Sequence, residues 1–327
     1  MSFRKRLTTH RFLLALIVIL VALGVWFRKE SFTQVFILRT ANTPQKIELL
    51  FVGDIMLSRE IGHSMQTRGN WNFPFERVAE TLQSADLAFG NLEGPMSTRG
   101  INLGSIYFFR ADPRAIKGLQ FAGFDVLSVA NNHIWDYGKE AFEDTLLHLK
   151  EARITPVGGA ENYAQAHKAS IREVKGIKIG FLGYTNLLPK SLGEPQSKPT
   201  IAWFDPVIVK QDIAEAKRQA DIVIVSIHWG NEYELSPTRG QEIVAHELID
   251  SGALLVIGHH PHVVQKTESY HGGYIAYSLG NFVFDQNFSE DTGRGLMVRI
   301  ILADTKVVKT EQLPLVFNTF FQPSLAR

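Results

Sequence analysis

Short strand-like runs in this chain end, one after another, on polar side chains for which the interior of a buried strand has no use. Residues 47–52 close on Gly53-Asp54, 87–89 on Gly90-Asn91-Leu92-Glu93, 126–130 on Asn131-Asn132-His133, and 222–227 on His228-Trp229-Gly230-Asn231-Glu232. A fifth run, 254–257, closes on Gly258-His259-His260-Pro261-His262, three histidines within four positions. In open α/β sheets ligands bind outside the carboxyl ends of the strands, so five such endings are expected to meet in one crevice. Turn chemistry accounts for Asp54 or Asn91 taken alone. A lone His133 or His228 is commonly just a satisfied histidine. Neither explanation requires Asp, Asn, Glu and His to follow successive strands.

The side-chain types point to a metal. Neutral imidazole ligates zinc, iron and manganese, and such a site draws three or more ligands from separate segments. Residues two apart on a strand share a face, so His260 and His262 are expected to point the same way.

Six motifs stand in order along the chain: Gly53-Asp54-Ile55-Met56, Asn91-Leu92-Glu93, and Ala130-Asn131-Asn132-His133 with Asp136 and Gly138; then His228-Trp229-Gly230 with Glu232-Tyr233, His260-Pro261-His262-Val263, and Ser278-Leu279-Gly280-Asn281-Phe282 with Asp285. Together they resemble the bacterial capsule-synthesis CapA family, which includes the poly-gamma-glutamate synthesis protein. That family in turn looks like a branch of the calcineurin-like metallophosphoesterases, whose pattern runs Asp-x-His, Gly-Asp, Gly-Asn-His, a lone His and Gly-His-x-His. The resemblance implies an α/β fold, a two-sheet sandwich flanked by helices, holding one or two divalent ions (Mn, Zn or Fe). It assigns Asp54, Glu93, Asn132, His228, His260 and His262 to metal binding, with Asn91 and Glu232 as further candidates and His259 as a neighbour. His133 stands where the superfamily places its catalytic imidazole and is expected to be the general acid, oriented by Asp136. One departure matters. Met56 occupies the position of the superfamily's first histidine, and a thioether is a poor ligand for such cations. A one-metal site, or a two-metal site completed by Glu93 or Glu232, both fit.

The amino terminus differs in kind from the rest. Arg4, Lys5, Arg6 and Arg11 precede an uncharged apolar run, 12–27, which Arg28-Lys29 close. As a helix it would span about 24 Å, somewhat short of a hydrocarbon core of about 30 Å, and snorkelling flanks could make up the difference. No small-x-small cleavage pattern follows before Phe36. The reading is therefore an uncleaved signal anchor, a single transmembrane helix, with a cleaved signal peptide as the alternative. The basic arm would lie in the cytoplasm and the bulk of the chain outside the cell membrane. Residues 1–30 then form arm and anchor, 31–46 a linker, and 47–327 the CapA-like domain.

The formal charge of +1 conceals that division: residues 31–327 carry 28 basic and 32 acidic side chains, net about −4. This excludes a basic footprint for nucleic acid. An anionic cell-surface polymer or phosphoester substrate would have to be held by local groups, for which Arg59 and Arg110 are candidates. Trp229 and Tyr233 could line the pocket, and Asn281 and Asp285 could support it. The absence of cysteine excludes disulfides and thiolate ligands.

Helices are expected at 75–84, 113–122, 139–152, 207–220 and 239–251, each between strand runs. Late strands at 177–182, 274–279, 296–302 and 306–313 are expected to build a second sheet. Two functions of different class follow. One is a metal-dependent hydrolase acting on a phosphoester or on a bond in an anionic polymer. The other is a non-enzymatic, polymer-holding component of a capsule or poly-gamma-glutamate synthesis complex, alongside other capsule synthesis subunits.

Overall fold

The computed structural model describes Leu20 and residues 45–326, apart from 105, 190, 191 and 193–198. Apart from Leu20, the expected anchor and nearly all of the linker lie outside these residues. Among the described residues no helix is long and apolar enough to cross a membrane.

Two large sheets form the frame. In the eight-stranded one, Lys46–Ile55 runs between Leu87–Leu92 and Arg294–Ala303. Val126–Ser128 and Thr155–Val157 continue it on the first side, Lys306–Phe317 and Pro323–Leu325 on the other, and Asn281–Val283 pairs with the end of Lys46–Ile55. The six-stranded sheet runs Thr267–Tyr270, Gly273–Ala276, Leu255–His259, Ile222–His228, Ile177–Thr185, Ser170–Val174. Within each sheet the functional runs are parallel to one another.

Parallel strands are covered on both faces, which is why their sequences read as continuous apolar runs rather than as alternation. The strand Ile222–His228 is buried at every position. Phe51, Phe89 and Val298 of the first sheet meet Phe181, Ile224 and Ile257 of the second in one core. Phe89 and Phe181 stack across it with ring centres 5.9 Å apart, and the Phe51 ring lies 5.7 Å from that of Phe89. Helices cover the outer faces: Ile61, Met65, Leu119 and Phe142 lie over the first sheet, Ile213 and Leu248 over the second. The order is helix, sheet, sheet, helix, the flanked sandwich expected.

The helices begin where side chains satisfy their first amides. Asp205 caps Pro206–Ala216, and Thr238 with Gln241 forms a capping box on Arg239–Asp250. Gly138–Glu151 matches the expected 139–152. The expected 75–84 helix is broken into Phe73–Phe75, a 3₁₀ turn, and Ala79–Gln83, and 113–122 begins as a 3₁₀ turn, Pro113–Ala115, before Ile116–Ala122. The helix Arg59–Arg68 was not expected, because only Ile61 and Met65 of its ten residues are buried and its apolar stripe is correspondingly thin. The expectation of one shared late sheet is corrected as well. Ile177–Thr185 and Gly273–Ala276 join the second sheet, but Arg294–Ala303 and Lys306–Phe317 form an antiparallel extension of the first. Strand periodicity carries no information about which sheet a strand will join.

Phe89→Ala removes an aromatic ring shared by both sheets. It is expected to destabilise the fold by about 3–5 kcal/mol, measured as a lowered urea midpoint with unchanged slope.

Candidate metal centre

Strand register assembles the site. Asp54 lies beside Asn91 on one side and Asn281 on the other, in parallel neighbours. His228 and His259 are paired in the second sheet. The ladder between Lys46–Ile55 and Leu87–Leu92 shifts register between Phe51 and Asp54, a local irregularity of the kind that re-aims side chains at a site. Gly53 is required there. A Cβ on it would lie 1.9 Å from the Gly280 carbonyl oxygen, the same oxygen that accepts the Asp54 amide at 3.0 Å.

The strand Leu255–His259 stops before the two histidines expected to ligate. His260 and His262 both adopt positive φ, 99° and 56°, so strand alternation is not what brings them together. Each is a non-glycine residue in a costly conformation, and such strain is characteristic of sites the surrounding structure holds in place. Their rings lie 5.8 Å apart, and the His260 ring is 4.8 Å from that of His228.

The buried Asp54 carboxylate is the centre of the array. One oxygen accepts the Asn91 amide at 2.8 Å and lies 3.5 Å from His259 Nδ1. The other accepts the His260 backbone amide at 3.2 Å and lies 3.4 Å from His262 Nδ1. Glu93 is buried beside it, 3.7 Å from His262 Nε2 and 4.0 Å from His133 Nε2, and neither of its oxygens has a hydrogen bond. His228 is held at both nitrogens, Nδ1 3.4 Å from the Asn91 amide and Nε2 2.7 Å from Asn132 Oδ1.

Two triplets emerge whose donor atoms lie within 4.8 Å of one another: Asp54, Glu93 and His228, all buried, and Glu232, His260 and His262, of which Glu232 is exposed. A buried carboxylate with two unsatisfied oxygens is costly unless a cation or proton meets it. The donors therefore fit a divalent cation. Neither triplet uses Met56. Its sulfur accepts from the Ser58 amide at 3.1 Å and hydroxyl at 3.0 Å and sits in the core.

Burial and neighbouring charge set the protonation. Burial alone would raise Asp54, but the His259 and His262 imidazoles beside its carboxylate hold it well below the usual carboxylate range. Burial drives Glu93 well above its ordinary value, against the pull of His262. His228 is lowered well below by burial and by His260, and His260 falls to about 3 through burial and the charge of His262. His262 goes the other way. Burial opposes its charge, but Glu93 and Asp54 lift it to about 9.

His133 stands one step outside. Its Nδ1 is 2.8 Å from Asp136 Oδ2, which also accepts the Phe109 amide at 2.8 Å, and the Phe109 ring lies 4.2 Å from the imidazole. Asn131 ties the loop, donating to Asn91 Oδ1 at 3.2 Å and to the Leu92 carbonyl at 2.8 Å while accepting the His133 amide at 3.2 Å. Asn281 Oδ1 meets His262 Nδ1 at 3.0 Å. Sequence reasoning missed the tie made by Asn131 and the packing of Phe109; the doubled Asn131-Asn132 was the available signal.

The two arginines expected to meet an anionic substrate are placed differently. Arg59 is engaged by Asp285 through Nε at 3.1 Å and Nη2 at 2.9 Å, although it still lines a cavity of about 180 Å³ with His133, Glu232, Tyr233 and His262. Arg110 is used structurally, over the Tyr137 ring at 4.1 Å and donating to the Arg99 and Gly100 carbonyls. Trp229 is core, its Nε1 bonded to the Tyr277 carbonyl at 3.0 Å. A second opening of about 510 Å³ reaches Asn132, His133 and His260. A larger cavity of about 1100 Å³, beside Lys150, Arg153 and Arg172, contains none of these residues.

Metal ligands bind in their deprotonated forms. Because His262 titrates at about 9 without metal, loading at pH 7 is expected to release at least one proton. Affinity is then expected to rise between pH 7 and 9. Calorimetry in buffers of different ionisation enthalpy reads this directly; a buffer-independent heat would contradict the assigned protonation.

Residues 48–286 match the family model of the bacterial capsule synthesis protein PGA_cap. The capsule biosynthesis protein CapA of Bacillus anthracis is 33% identical over 285 residues, 83% of this chain and 67% of that protein. The PGA biosynthesis protein CapA of Bacillus subtilis is 32% identical over 298 residues, 90% and 77% of the two chains. Among solved structures, a Staphylococcus aureus protein provisionally identified as a 5′-nucleotidase shares the fold with a TM-score of 0.53 and 17% identity. That match covers 85% of this chain but spans only 56% of the nucleotidase chain. The chain thus shares the fold of that structure and belongs to the PGA_cap family of bacterial capsule synthesis proteins.

Proposed function

We propose that this protein is a metal-dependent hydrolase of capsule or poly-gamma-glutamate synthesis, acting on a phosphoester or on a bond in an anionic cell-surface polymer. The observation that carries the proposal is the buried Glu93 carboxylate, without a hydrogen bond on either oxygen, facing His262 and His133. A divalent cation held by Asp54, Glu93 and His228, with Glu232, His260 and His262 as a second set, supplies Lewis acidity toward water and a phosphoryl or acyl oxygen. The rest of the chemistry belongs to side chains.

The Asp136 carboxylate oxygen that accepts the Phe109 amide also lies 2.8 Å from His133 Nδ1, a contact that takes the Nδ1 proton and leaves Nε2 to deliver a proton to a leaving oxygen. Phe109, packed on the ring, shields that proton from bulk water. Asn131 fixes the loop so that imidazole and carboxylates keep their separation.

A second reading, a non-enzymatic component that holds polymer within a synthesis complex, draws on Met56, which replaces a superfamily ligand. In either reading residues 12–27 anchor the chain in the cell membrane with its bulk outside, and association with other capsule synthesis subunits follows from the family's role. These placements rest on the basic-apolar-basic pattern and on the family.

Purified protein is expected to bind Mn(II) or Zn(II) and to cleave a member of a phosphoesterase substrate panel. A metal-free, inert protein would sink the hydrolase. His133→Asn is expected to lower kcat by about 10²–10⁴ while metal content stays that of wild type; loss of metal instead would reassign His133 as a ligand. For topology, a periplasmic-type reporter fused after residue 327 is expected to be active and the protein to stay with the membrane after a carbonate wash. A soluble product would point to cleavage.

A further inference from the structure

We infer that His259, the first of the three clustered histidines, is a positioning residue that fixes the Asp54 carboxylate for metal binding. This rests on the metal reading of the site and adds a residue that the metal-ligand set does not contain.

His259 is the last residue of Leu255–His259, and strand alternation puts it on the same face as Leu255 and Ile257, both in the core between the sheets. His260 and His262 leave the strand for the site, so His259 approaches the same carboxylate from beneath. It is completely buried, and its ring lies 6.3 Å from that of Phe89 at an interplanar angle of 28°. An apolar side chain would serve that packing equally well. The imidazole instead brings two nitrogens that have no hydrogen-bond partner, one of which, Nδ1, lies 3.5 Å from Asp54 Oδ1.

An imidazole buried against Phe89 with unsatisfied nitrogens is destabilising, of the order of 1–3 kcal/mol. Such a residue needs a compensating contact, and its Nδ1 lies beside Asp54 Oδ1. The geometry around Asp54 shows what the contact does. Oδ1 receives Asn91 from the strand beside it, and Oδ2 receives the His260 amide from the loop. His259 Nδ1 lies beside the same Oδ1 that receives Asn91 but comes from a strand of the second sheet, so this oxygen is flanked by a group from each sheet. Donors that orient a ligating carboxylate typically change metal affinity about 10–100-fold when removed.

The test uses Mn(II) affinity, read from the free-ion EPR signal during titration of the purified chain, together with the melting temperature of metal-free protein. His259→Phe keeps a ring against Phe89 and removes the donor; it is expected to weaken Mn(II) binding 10–100-fold. His259→Asn loses ring packing but places an amide nitrogen near the Nδ1 position, and is expected to recover most of the affinity despite a lower metal-free melting temperature. Affinity and stability should thus separate between the two variants. If His259→Phe binds Mn(II) like wild type, the inference is overturned while the metal site stands. If both variants lose affinity in proportion to melting temperature, His259 is packing only and the inference again falls. If wild type itself binds no Mn(II), the metal reading fails, an outcome distinct from either.

Discussion

A carboxylate taken out of water must be met by donors or by positive charge, and Asp54 is the point where this requirement organises the molecule. Moving an ion of that size into the interior costs several kcal/mol even after relaxation. Here the compensation comes from both sheets. Asn91 donates from the first sheet, and the His260 amide and the His262 imidazole reach it from the loop that ends a strand of the second. No single element could make these contacts. The sandwich has to close in its observed register before Asp54 can be buried ionised.

That register depends in turn on backbone approach. Gly53 passes the Gly280 carbonyl so closely that no side chain fits, and Gly258 does the same against Tyr277, where a Cβ would stand 2.0 Å from the carbonyl oxygen. Both glycines immediately precede a functional residue, Asp54 in one strand and His259 in the other. The glycine is therefore part of the site. It lets two segments pack at the strand ends, where side chains of the next residues are then forced toward one another. The apolar cores between and outside the sheets supply the driving force for closure, and the glycines decide how tightly the ends close.

The strand endings were legible in the sequence for a physical reason: an apolar run stopping on Asp, Asn or His is anomalous in a core and ordinary at the mouth of a parallel sheet. Asp54, Glu93, His228, His260 and His262 are brought together accordingly. What the sequence could not carry was anything fixed by tertiary context. Alternation suggested a shared face for His260 and His262, yet both lie past the strand in positive φ, a conformation that only the surrounding loop dictates. Arg110 looked like a clamp for an anion because its charge is visible in the sequence, whereas the Tyr137 ring and the two carbonyls that occupy it are not. The same holds for the late strands, whose periodicity is right and whose sheet assignment is a matter of topology.

Met56 illustrates how far a missing residue constrains chemistry. By motif position it removes a ligand, and in the structure its sulfur is turned to Ser58, so it offers nothing to a cation. Yet the two triplets of potential donors share no member and neither includes position 56. The count of ions is therefore decided by the environment of the triplets. Asp54, Glu93 and His228 are all buried, and the Glu93 oxygens lack hydrogen bonds, so a divalent charge there relieves a penalty that the protein otherwise meets by holding a proton on His262 and driving Glu93 toward its neutral form. Glu232 is exposed and already solvated, so its triplet gains less from an ion. On the proposed metal reading the two positions are unequal: the buried triplet is expected to be the stronger site, and the outer one to fill at higher metal concentration and exchange faster.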